Sequence, residues 1–279
     1  KMKRLLPVLT VLAIIAAAGT SSCKKEAETD NSTIAFSTMT GSATYTLLNS
    51  AKDFNRDSDL VYFDSASIVM PTVIYNQDIS KLQDTIIAAA FDTVSIDHAQ
   101  AMNSAFAAAA SESGYQIEPT QTRPGQQFYS DGNTIISGDV FSLTPHLLTY
   151  RISKEIYQPG DAHGLTVNRY ITYLTDKGCL MPLSYIFTPE GIAELPGVIA
   201  SRAKDLARQI GKTDINSLPA NDNYYIALDG SIVFVYEPYE AASFSQGEIA
   251  IPFYSYQLRE FMTAEGLALF NLDIEDPDD

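Results

Sequence analysis

The sequence predicts an α+β protein of mainly antiparallel sheets with helices packed on one face, and three observations predict it. Residues 148–156 and 165–173 alternate apolar and polar side chains on either side of a breaker-rich loop, so they form one long hairpin. Strand-like and helix-like segments are grouped along the chain rather than strictly alternating, which disfavours a parallel α/β sheet. Asp229-Gly230, a two-residue hairpin signal, joins two further strand-like runs at 224–228 and 231–236.

In chain order, the first segment is an address. Lys3 and Arg4 precede an apolar run from Leu5 to Ala18, and small residues then lead to Cys23. This layout is that of a secretory signal peptide over residues 1–22, too short to span a membrane. Thr20-Ser21-Ser22-Cys23 resembles a bacterial lipobox, which implies that Cys23 is lipidated and anchors the chain to the cell envelope. The alternative is a signal peptide cut at Ala or Ser, with Cys23 an ordinary thiol. The polar residues that follow predict a flexible tether over 23–44.

A strand is expected over 60–70, rich in β-branched and aromatic residues and ending at Pro71. Asn76 then caps a helix that carries Ile79, Leu82, Ile86 and Ala90 on one stripe. A second helix spans 97–111, with Met102 and Phe106 inward and Gly114 as its stop. Residues 121–132 form a loop. After the central hairpin, Thr175-Asp176-Lys177-Gly178 turns into a third antiparallel strand over 179–183, where Cys179 is expected to be a buried thiol. Lipidation of Cys23 would leave no intramolecular disulfide, because the chain has 2 cysteines. Thr188-Pro189-Glu190 opens a helix that Pro196 breaks or restarts. A last strand covers 248–252 and a last short helix 256–262.

Composition removes whole classes of function. The net charge is -16, and loss of Lys1, Lys3 and Arg4 with the signal takes it to -19, so nucleic acid is excluded as a partner and basic proteins are favoured. The 3 histidines are far apart and show no metal-ligand spacing. Nucleophile-elbow, phosphate-loop and dinucleotide patterns are missing. No catalytic residue, metal or cofactor is assigned.

The residues that draw notice lie at the loop Tyr157-Gln158-Pro159-Gly160-Asp161-Ala162-His163-Gly164. His163 sits where functional side chains are displayed, although an imidazole can equally tie a tight loop to its own backbone. Asp161 is either its partner or a turn residue. Tyr157, Tyr170, Tyr236, Tyr239 and Phe244 gather in sequence around this loop and around Val235-Tyr236-Glu237-Pro238-Tyr239-Glu240. They are either interface aromatics or core-edge residues of strands.

Gly160-Asp161-Ala162-His163, followed by a strand and then by the 235–240 run and Gln246-Gly247, resembles the paired extracytoplasmic domains of RsiV-type anti-sigma factors. The first of these domains also precedes the catalytic domain of PdaC-type peptidoglycan deacetylases. The resemblance covers residues 45 to 265. In the family the loop usually reads Gly-Gly-Ala-His; here Asp161 replaces the second glycine. The resemblance implies a first domain over 45–164 and a second over 165–279, packed as one unit. It also implies ligand-binding roles for Asp161, His163, Tyr157, Tyr170, Tyr236 and Tyr239. The deacetylase motifs are missing, so what it implies is the accompanying domain and not an enzyme. The expected protein is an exported, lipid-anchored binding protein whose partner is a basic protein such as lysozyme or a cell-wall glycan. The competing expectation is an enzyme acting on envelope polysaccharide, with His163 as acid or base beside Asp161 or Glu237.

Overall fold

A computed structural model describes residues 33–48, 59–93, 97–120, 130–210, 218 and 221–272. The expected signal segment, Cys23, most of the 121–132 loop and the acidic tail lie outside them. Strand β1 (Ile34–Leu48) pairs antiparallel with β2 (Leu60–Ile74) from end to end. Helices α1 (Ser80–Phe91) and α2 (His98–Glu112) follow, then a short β3 (Gln116–Pro119) on the outer side of β1. β4 (Gly132–Leu143) runs parallel to β2 and antiparallel to β5 (Leu147–Tyr157). β6 (Leu165–Leu174) and a two-residue β7 (Cys179–Leu180) complete a sheet of 7 strands in the order β3-β1-β2-β4-β5-β6-β7.

The second half adds α3 (Leu183–Ile186), α4 (Pro189–Ile210) and a 3-stranded antiparallel sheet of β8 (Tyr224–Ile226), β9 (Ile232–Tyr236) and β10 (Ile249–Phe253). A 3-10 turn over Ser255–Phe261 and α5 (Ala264–Leu269) end it. The architecture is α+β and mainly antiparallel, as the grouping of elements predicts.

Alternation decides where the cores lie. Leu47, Tyr62, Ile68, Tyr150 and Ile152 are buried on one face of the large sheet, where Leu82 and Ile86 of α1 and Met102 and Phe106 of α2 cover them. On the other face Thr38, Thr40, Ser42, Ser67 and Ser137 meet water. Gly138 is required because a Cβ there would lie 2.5 Å from the Tyr150 hydroxyl oxygen. A second core joins Leu147 and Leu174, at the base of the β5–β6 hairpin, to Ile199 of α4 and Phe234 of β9. Position 164 is therefore the tip of a hairpin inside one continuous sheet.

Several expectations change. The tether does not reach residue 44, because β1 begins at Ile34. Its apolar face is sparse and its other face is hydroxyl-bearing, so a periodicity count sees a polar segment. Asn76 occupies a left-handed turn at φ 56°, and α1 starts at Ser80 with Asp78 accepting from the Ser80 N–H at 3.0 Å. Pro71 lies inside β2, opposite Phe36 at a bulge where the ladder is already interrupted. Pro196 is carried within a continuous α4. The third strand is only two residues long, and Cys179 on it is exposed rather than buried.

Candidate functional site

Loop 157–164 is closed by its own polar groups. The Asp161 N–H donates to the Gln158 carbonyl at 3.0 Å, the Asp161 carboxylate accepts from the Gln158 N–H at 3.1 Å, and the Tyr157 hydroxyl donates to the Asp161 carbonyl at 3.2 Å. Gly160 takes φ +93°, which glycine adopts freely. Tyr157 and Asp161 thus shape the loop. The Gln158 side chain donates inward to the Tyr62 hydroxyl at 3.1 Å, and that hydroxyl lies 2.9 Å from Thr134 Oγ1.

Shaped in this way, the loop presents His163. Its ring stacks on Phe244, with centroids 3.6 Å apart and an interplanar angle of 11°; Tyr239 lies 5.6 Å further on. Tyr239 is 65% exposed and sits at φ +73° in a turn closed by the Glu240 carboxylate, which accepts from the Glu237 N–H at 2.7 Å. The two motifs meet through an imidazole-phenyl-phenol row at the surface. Phe244, the centre of the row, is the residue that ties them together.

Two candidate tyrosines lie elsewhere. Tyr236 is enclosed in the second core on a strand whose residues are all buried, and burial pushes its phenol up. The Tyr170 ring packs with Phe141 at 5.2 Å and Tyr225 at 4.7 Å, and burial pushes its phenol up to about 12.

Three clefts open among the described residues, and His163 lines none of them. One, of about 450 Å³, holds the Arg169–Glu237 ion pair at 2.8 Å above Ile152 and Val167. Burial raises the Glu237 pKa, and Arg169 opposes that rise. A second, of about 300 Å³, shares Asp92, Lys154 and Ile156 with the first, and Lys154 pairs with Asp92 at 2.6 Å. The third, of about 650 Å³, contains His146 Nδ1 at 3.3 Å from Asp176 and Lys177 bonded to the Tyr185 hydroxyl. His146 and Asp176 stand at the base of the hairpin and come together only because β5 and β6 pair; no spacing in the sequence announces them. Among the described residues, no three His, Cys, Asp or Glu side chains gather as a metal ion requires.

This is an extended α+β domain of two adjoining cores that displays an aromatic row where two loops meet. No protein-family model matches the chain, and no curated protein matches it. Among solved structures, a DUF3298 family member from Bacteroides fragilis is similar over 87% of this chain and 98% of its own, with TM-score 0.61 and 16% identity. A DUF3298 family protein from Pseudomonas aeruginosa is similar over 83% of this chain and 96% of its own, with TM-score 0.50 and 12% identity. The fold is that of these DUF3298 proteins.

Proposed function

We propose that the chain is a non-enzymatic, lipid-anchored protein of the bacterial cell envelope that binds a basic protein of the lysozyme-like hydrolase type. Its contact surface is the row His163, Phe244 and Tyr239. The observation that carries the reading is the stacking of His163 on Phe244 at 3.6 Å, because it joins the two motifs of the RsiV-like resemblance and leaves Tyr239 exposed beside them. Exposed aromatic side chains with polar tips suit a protein interface. The acidic balance of -16 favours a basic partner and steers its approach. Wall glycan is the other ligand that this surface could take, since aromatic faces also stack on sugars. Titration calorimetry of the chain against lysozyme and against muropeptides, each at low and high salt, tests this. Heat with lysozyme that weakens in salt is expected. Salt-independent heat with muropeptides alone would move the assignment to glycan, and no heat with either removes it.

A further inference from the structure

Strand β1 has an open side. Among the described residues, only β3 pairs along its outer edge, and only at Tyr45–Leu48. The Thr44 carbonyl accepts from the Thr120 N–H at 2.8 Å, which fixes the direction in which alternate residues point their backbone groups. Along an antiparallel strand that direction repeats every two residues, so Ser42, Thr40 and Thr38 also aim N–H and C=O outward, while the residues between them serve β2. All three are exposed. β1 carries no charge, no proline and no inward-pointing lysine, the devices that usually protect such an edge from pairing.

The geometry points to this edge as a self-association surface, where a second copy of the chain adds its own β1 antiparallel about a twofold axis at Met39, clear of the Thr44 carbonyl that Thr120 already engages. That axis places Thr38 opposite Thr40 of the other copy and Phe36 opposite Ser42, so residues with outward backbone groups face one another. It also keeps the two Met39 side chains together on the helix-covered face and the Thr38 and Thr40 hydroxyls together on the open face. A one-residue slip would break both matches. Such an interface is isologous and closes at two copies.

Charge selects the same occupant. Two chains of net charge -16 repel over most of their surfaces. β1 has no ionisable carboxylate, and the one on β2, Asp64, is completely buried. α2, which packs over both strands, has Glu112 as its only carboxylate, at its last turn. β3 carries the exposed Glu118, but it lies opposite Thr46, at the far end of this edge. The stretch from Phe36 to Ser42 is therefore where two acidic copies can approach.

Sedimentation velocity of the full chain over a wide concentration range, with hydrogen exchange over residues 34–44, tests the pairing. A doubling of mass with concentration is expected, together with slowed exchange in this segment at the high end. Thr40→Pro removes an outward N–H and no bond to β2, so it should leave a folded monomer with its urea midpoint unchanged. Ser42→Lys should weaken the dimer and make it salt-dependent. A chain that stays monomeric at every concentration overturns the proposal, as does a dimer unaffected by both variants. Slow exchange that is independent of concentration in a monomer also overturns it, because the edge is then covered by the chain itself.

Discussion

Asp64 lies directly across the parallel β2–β4 pair from Thr134, and its carboxyl is fully closed off from water. Burial pushes its pKa up to about 8; the polar contact from Thr134 only tempers the rise, since the Thr134 hydroxyl also engages Tyr62 at 2.9 Å. Burial raises the phenols of Tyr45 and Tyr62 as well, and the nearby Asp64 carboxyl adds to that rise when charged. Asp64 therefore stays protonated at neutral pH while the unfolded chain has released that proton. A carboxyl raised on folding contributes its full stability below its unfolded pKa of 3.8 and loses it as pH climbs towards 8. Urea unfolding should show stability falling across that window by no more than about 6 kcal/mol. Asp64→Asn should flatten the slope and be the more stable chain at pH 9. A slope unchanged by the substitution would assign the effect to other groups.

Asn223 substitutes for a neighbouring strand. Its side chain accepts from the Tyr170 N–H at 2.9 Å and donates to the Asn168 carbonyl at 2.9 Å, satisfying the stretch of β6 that β7 is too short to reach. Asn223→Ala leaves two enclosed backbone groups unpaired and should cost about 2–4 kcal/mol. The loss should be read by urea unfolding, with faster amide exchange at Tyr170 as its local signature.

The stacked pair His163 and Phe244 should behave as one unit. A double-mutant cycle with His163→Ala and Phe244→Ala should give a coupling of about 0.5–1.5 kcal/mol in stability. In lysozyme titrations each single variant should weaken binding, and the double variant should do little worse than either. Additive losses would mean that the rings act separately.

The lipid anchor is tested by chemistry. Labelled fatty acid should be incorporated in the parent chain and not in Cys23→Ala, which should be released in soluble form. Because the first strand starts at Ile34, the released protein should melt at the same temperature as the anchored one. A Cys23→Ala chain that stays membrane-bound would mean the leading apolar run is itself the anchor.

The large sheet was legible where one face is strongly apolar. β5 and β6 alternate so clearly that the hairpin and its loop could be bounded by residue number, and the helix expected over 97–111 is α2, His98–Glu112. β1 was not legible, because a strand whose exposed face is Thr and Ser and whose inner face includes Gly41 and Ala43 looks like a polar linker. The site was half legible. The loop and the 237–240 turn stood out as motifs, yet Phe244 was noted only as one more aromatic, since its role depends on which ring it meets. Tyr236 and Tyr170 were placed with the others by nearness in sequence, and strand alternation sent their rings to other faces. Asn223 carried no signal at all, because a side chain that imitates a backbone has no pattern to repeat.

The second half of the molecule holds the β5–β6 hairpin at its base through Leu147 and Leu174, at mid-length through Asn223, and at its tip through Phe244. These holds are spread along a strand pair roughly 33 Å long. Fastening at three heights makes the joint a splint rather than a hinge: neither twisting nor sliding is open to one core without breaking a hold on the other. A single proteolytic cut at Gly160 would therefore yield two fragments that remain locked together and separate only on denaturation.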